Sequence, residues 1–189
     1  MSADVRTISA QRSARATVVI VAAGSIVLLA RPFVGVAPDA RVLLFATAFL
    51  VLAAISLAVP VTNEPPRVAS SFVLAIGVAS IVFASMIAGP SVPTPHASFA
   101  LPLSLLAAVA EEALFRRVAF ARLARFGALV AIAGSAILFA IVHLPAYGVA
   151  ALPIDLGAGV LFGWQRWASG MWLVPAGTHA FANAVAIVR

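Results

Sequence analysis

Apolar residues along this chain fall in long blocks separated by short polar breaks. The block ATVVIVAAGSIVLLA covers residues 16–30 and is closed by Arg31. Further blocks run over about 42–62 and 68–88. The break between them, NEPPR at 63–67, holds paired prolines that remove helix donors. A proline-rich break, GPSVPTPHAS at 89–98, comes next. A fourth block starts near Phe99, and three more cover about 127–144, 149–167 and 171–188. Each approaches the roughly 20 residues that a helix needs to cross a hydrocarbon core about 30 Å thick. The pattern predicts an all-α, polytopic transmembrane helix bundle of about seven helices. No small-x-small cleavage site with a polar mature start follows the first block, so it reads as a membrane helix rather than a signal peptide.

Composition agrees with this reading. The 189 residues are 63% hydrophobic and 10% charged, where a soluble domain carries about 25% charged residues. The net charge of +6 comes from arginine alone. In a soluble protein that balance would point to nucleic acid. Here the arginines lie at the ends of apolar blocks, which points to membrane lipids and excludes nucleic acid as the partner. The absence of cysteine excludes disulfides, thiolate metal ligands and a cysteine nucleophile. With a cytoplasmic N-terminus, Arg6, Arg12, Arg15, Arg67, Arg116, Arg117, Arg122, Arg125 and Arg166 fall inside, and Arg31, Arg41 and Arg189 outside. That asymmetry satisfies the positive-inside rule. The lysine-free, Ala- and Arg-rich composition points to a GC-rich bacterial genome, hence to a bacterial cytoplasmic membrane.

One stretch breaks the apolar pattern. AVAEEALFRRVAF, residues 108–120, contains two of the six acidic residues of the chain. A charge at mid-membrane costs about 2.5–3.5 kcal/mol on insertion scales. Glu112 and Arg116 are four apart and can pair on one helix face. Glu111 is turned by about 100° from Glu112. It is therefore expected to lack that arginine and to face another cavity, as a general acid or base would. The plainer alternative is a charge cluster at the inner end of the helix, near water.

Three histidines bear on the choice. His96 lies in the proline-rich break and reads as a solvated loop residue. His143 closes the fifth block in FAIVHLP. His179 lies in AGTHAFANAV, one turn before Asn183 and on the same face. A lone intramembrane histidine is usually a hydrogen-bonded packing residue. Two of them with an asparagine and a spare glutamate, on three helices, make a polar set that a bundle must turn inward. Asp155, alone on the sixth helix, reads as a packing residue, with Gly157 and Gly159 allowing close helix contact. Trp164, Trp167 and Trp172 read as an interfacial belt. There is no HExxH zinc motif and no pair of membrane aspartates. Ser135 and Ser169 have no supporting motif.

Together these residues resemble the CPBP family, the Abi or CAAX protease-like intramembrane endopeptidases that include the type II prenyl-protein proteases. EEALFR (Glu111, Glu112, Arg116) resembles its EExxxR motif, FAIVH (Phe139, His143) its FxxxH motif, and HAFAN (His179, Asn183) its HxxxN motif. The resemblance covers about residues 99–188. The chain then divides into a polar cytoplasmic tail at 1–15, accessory helices at 16–98 that carry no signature and, by the resemblance, a catalytic core at 99–189. The resemblance also implies hydrolysis of a peptide bond in a membrane-associated peptide or protein. Glu111 and His143 would activate water, His179 and Asn183 would stabilise the oxyanion, and Glu112 and Arg116 would support the site. If the enzyme is metal-dependent, Glu111, His143 and His179 would instead hold Zn2+. Many members have glycine after the motif arginine, where this chain has Arg117. A non-catalytic immunity or regulatory protein binding through the same cavity is the alternative. A proton relay is a third reading, without the inverted repeats that many transporters show. Straight upright helices would leave Glu111 and His143 at different depths, about 17 and 27 Å from the inner surface at 1.5 Å per residue. Tilt, a fourth helix continuing past Arg117, or a break near Pro145 is needed to bring them together.

Overall fold

The computed structural model describes residues 3–88 and 99–188, with side chains from residue 14 onward. The proline-rich break with His96, and Arg189, lie outside the described residues. The chain is all-helical among those residues. Its long helices are α1 (Ala3–Ala30), α2 (Pro38–Ala58), α3 (Ser70–Ala88), α4 (Ala100–Glu112), α6 (Ala128–Tyr147), α7 (Leu152–Ser169) and α8 (Leu173–Val188). A π-helical stretch (Ala113–Ala119) and the short α5 (Phe120–Leu123) continue α4 without a break. Counting that rod once gives the seven long helices expected. The first helix begins at Ala3 rather than near residue 16.

Four segments are long and apolar enough to span a membrane by themselves: Ala14–Phe33, Pro38–Ala58, Ser70–Ile87 and Ala128–Tyr147. The α4 rod, α6, α7 and α8 carry nearly all of the buried polar and charged residues among those described. The outer surface is greasy, with Phe33, Phe83, Met86, Leu129 and Ile154 all exposed. In a bilayer those side chains face lipid, and the polar residues turn inward because hydrocarbon offers them no partner.

Two kinds of contact set the helix spacing. Between α6 and α7 the backbones touch. A Cβ at Gly159 would lie 2.8 Å from Ala136 Cα, and one at Gly163 would lie 3.2 Å from Ile132 Cα. Small residues let membrane helices approach in this way. Gly157 plays no part, since nothing lies within 4 Å of its would-be Cβ. Between α3, α7 and α8 the contact is polar. Gln165 Nε2 donates to Val73 O at 3.0 Å and to Thr178 Oγ1 at 2.9 Å, next to Gly77, where any side chain would collide with both. Arg117 also has a structural use: its guanidinium donates to Ser56 O in the last turn of α2, where helix carbonyls lack backbone partners. This arginine ties the rod to α2.

Gly159→Ala should lower the thermal midpoint of the detergent-solubilised protein, by the roughly 1–3 kcal/mol typical of overpacking. Gly157→Ala should not move it. Equal midpoints for the two variants would contradict the α6–α7 contact described.

Candidate functional site

Both motif glutamates are buried, and each has its own cation. Glu112 lies at the end of α4. Its Oε1 accepts from Arg116 Nη1 at 3.1 Å and from His179 Nδ1 at 3.0 Å. Arg116 is fully enclosed and also donates from Nη2 to Gly159 O at 3.1 Å. Its guanidinium lies over Phe139, 4.6 Å from the ring centroid, and 5.4 Å from that of Phe162. Burying an ion pair is costly unless further hydrogen bonds and ring faces replace the lost water. Here a carbonyl, an imidazole and two aromatic rings do so. The π-helical stretch contributes as well. Phe120 N–H bonds back to Phe115 O, one residue further than in an α-helix. The next carbonyl, Arg116 O, accepts from Arg166 Nε at 3.1 Å. Such wide turns are frequent at functional sites.

Glu111 is not the unpaired carboxylate expected. Arg31, at the end of α1, donates from Nη1 to Glu111 Oε1 at 2.9 Å. Arg31 also donates from Nε to Leu28 O at 3.0 Å, which fixes the guanidinium against its own helix end. The other carboxylate oxygen, Oε2, is buried without a hydrogen-bond partner and lies 3.5 Å from His143 Nε2. His143 Nδ1 lies 2.8 Å from Phe139 O. A carbonyl only accepts, so Nδ1 carries the hydrogen, and in the neutral form of the ring Nε2 turns a lone pair toward Glu111. Tyr147 stacks on the same ring at 5.6 Å. His179 stacks on Phe162 at 5.1 Å. Phe139, the first residue of FxxxH, thus sets the tautomer of His143 and lies beneath Arg116.

These groups meet at a cavity of about 520 Å3. Glu111, His143, His179 and Asn183 all line it, with Arg31 and Tyr147. Glu112 and Arg116 sit behind its wall. Asn183 Nδ2 donates one hydrogen to Ser104 O at 3.0 Å, and an amide nitrogen carries a second. Of the three devices that could bring Glu111 and His143 to one depth, α4 does continue past Arg117, and α6 runs through Pro145 unbroken. Asp155 is half-buried on α7, outside the lining itself but close enough to His143 and Glu111 to interact with their charges. Trp164 and Trp167 pack against Val73, Ala168 and Val174, and Arg67 lies over Trp167 at 5.1 Å.

Arg31 is the site residue that the sequence reading missed. It was taken for a lipid anchor closing the first apolar block. The zinc alternative fits poorly. Among the described residues no three His, Asp or Glu side chains converge with the geometry of a metal site. A guanidinium also already occupies one oxygen of Glu111. No step below is routed through a metal.

A helical membrane bundle with a buried Glu–Arg–His cluster beside a polar cavity defines a class of intramembrane protein. Residues 93–185 match the family described as type II CAAX prenyl endopeptidase Rce1-like. That segment is of the CPBP, or CAAX protease-like, family, which supports a CAAX-type intramembrane protease kind of function. Comparison with the curated proteins and with the solved structures gave no significant match.

Arg116→Ala strands the Glu112 charge and should destabilise the fold by about 3–5 kcal/mol, read as a lower thermal midpoint or loss of monodisperse protein. Arg116→Met combined with Glu112→Gln should recover most of that loss. No recovery would mean that Arg116 supports the bundle by packing rather than by charge.

Proposed function

We infer that this protein is an intramembrane endopeptidase in which Glu111 and His143 bind and activate the attacking water. The observation that carries this reading is Glu111 Oε2, buried without a donor at the cavity wall and 3.5 Å from His143 Nε2, which is an acceptor in the neutral form of the ring. Two lone pairs repel unless something donates to both. A water molecule does so with its two hydrogens, and its own lone pairs then point into the cavity, toward a substrate carbonyl carbon.

The steps follow from the residues. As the water oxygen bonds to the carbonyl carbon, one water proton passes to Glu111 Oε2. The carbonyl π pair moves onto oxygen. The Asn183 N–H not used by Ser104 donates to that oxyanion. In its imidazolium form His179 adds an Nε2–H, with Glu112 as counter-ion on Nδ1. Fixed donors aimed at a developing charge in a dry pocket are usually the largest catalytic contribution. When the oxyanion collapses, the C–N bond breaks and Glu111 returns its proton to the leaving nitrogen. The products are a carboxylic acid and an amine. Arg31 acts through Glu111: it holds Oε1 and so directs Oε2 at His143. The substrate is a membrane-associated peptide or protein, in keeping with the family.

Glu111→Gln keeps the size of the side chain and removes the base. Peptide N-termini newly generated in membranes of cells carrying the wild-type chain should vanish in cells carrying Glu111→Gln at equal protein level. Identical sets from the two would reject the hydrolase in favour of a binding role. Arg31→Ala should slow appearance of the same termini by about 10²-fold, the effect of misplacing a reacting group by about 1 Å. It should add no further loss to Glu111→Gln. An unchanged rate would remove Arg31 from the site.

A further inference from the structure

The cavity has a direction. Its lining comes from the end of α1 (Arg31, Pro32), the start of α2 (Arg41, Phe45), the first turns of α4 (Leu103, Ser104), the end of α6 (Ala146, Tyr147) and the end of α8 (Ala186, Ile187). Successive helices run in alternate directions, so all five segments lie at one end of the bundle. Glu111, His143 and His179 line its deeper part.

The opposite end is the arginine-rich one. The loop between α2 and α3 packs on the end of α7 there, through Arg67 N–H and Val68 N–H to Ala168 O at 2.9 and 3.0 Å. Two of the twelve arginines carry no topological information. Arg116 and Arg166 are buried and bonded within the protein. Without them, Arg15, Arg67, Arg117, Arg122 and Arg125 remain at that end, with Arg6 and Arg12 in the first turns of α1. The cavity end keeps Arg31 and Arg41, and Arg31 is committed to Glu111; Arg189 follows α8 in the sequence. Arginine and lysine in short segments near helix ends stay on the cytoplasmic side. Removing the buried pair leaves the asymmetry strong.

We propose that the cavity opens on the side opposite the cytoplasm, and that its substrates are peptide segments exposed at the extracytoplasmic leaflet. The substrate half of this inference rests on the hydrolase reading above. The direction of opening does not, since it follows from helix order, cavity lining and arginine placement alone. The catalytic water would then be drawn from the outer aqueous phase through a rim bearing Arg41, whose Nη2 donates to Val34 O at 3.2 Å. A peptide would not need to cross the membrane to reach Glu111.

The chain has no cysteine, so single cysteines can be read without background. Gly35 lies in the exposed α1–α2 connection, with nothing within 4 Å of its would-be Cβ. Ala186 is exposed on the cavity wall, and Asn63 is exposed at the other end. In intact cells expressing the full chain, a membrane-impermeant maleimide should label Gly35→Cys and Ala186→Cys. It should label Asn63→Cys only after permeabilisation. The reverse pattern, or equal labelling from both sides, overturns the proposal. Ala146→Cys, also exposed at the cavity, replaces any rim variant that fails to accumulate. Repeating the labelling in the Glu111→Gln background should give the same pattern, so this test stands even if the hydrolase reading falls. New N-termini that depend on Glu111 should map to extracytoplasmic segments. Cleavage confined to cytoplasmic segments would overturn the substrate assignment while leaving hydrolysis intact.

Discussion

Charge burial governs this molecule. Two adjacent carboxylates occupy one helix in an almost wholly apolar bundle, and hydrocarbon supplies no solvation for either. The fold answers by giving them separate cations from separate places. Glu112 takes Arg116 from its own rod, and Glu111 takes Arg31 from another helix. Much of the remaining architecture serves that division. Gly159 has no side chain, so α7 can bring its backbone against α6, and the carbonyl of the same residue accepts from Arg116. Phe139 and Phe162 supply ring faces to the same guanidinium. The π-helical stretch leaves Arg116 O to accept from Arg166, a second buried cation whose hydrogen bonding is thereby met in part.

The division also separates an enclosed charge from one that reaches the cavity. On Glu112, Oε1 holds two donors and Oε2 is likewise buried without a partner, but the group lies behind the cavity wall. On Glu111, one oxygen is held and the other is left at the cavity without a donor. A one-residue step along a helix, about 100° of rotation, is enough to turn identical side chains toward different surroundings. Adjacent glutamates suit such a design because one backbone segment fixes the position of both.

Much of the fold could be read from the sequence, because lipid imposes a simple rule on composition. Apolar blocks of span length, broken by Pro and Arg, announced the helices, and their number and order agree with the structure. The Glu112–Arg116 pair was equally visible, since a spacing of four is a property of the helix itself. Contacts between distant segments were not. Arg31 and Glu111 are 80 positions apart, and nothing in the periodicity of α1 tells an arginine that snorkels to lipid from one that turns inward. Arg166 posed the same difficulty: flanked by tryptophans it looked interfacial, yet it reaches Arg116 O. Gly157 and Gly159 were indistinguishable as small residues. Only the crossing of α6 over α7 decides which of them the neighbouring backbone touches. The convergence of Glu111, His143, His179 and Asn183 on one cavity was anticipated from the shared need of buried polar groups for company, not from any local signal.

The family match begins at residue 93, while the cation on Glu111 comes from the first helix. The recognisable half of the chain therefore carries every motif residue yet leaves one carboxylate to be neutralised by a segment that bears no signature. The charge balance of a motif carboxylate in this chain thus depends on a helix outside the matched segment.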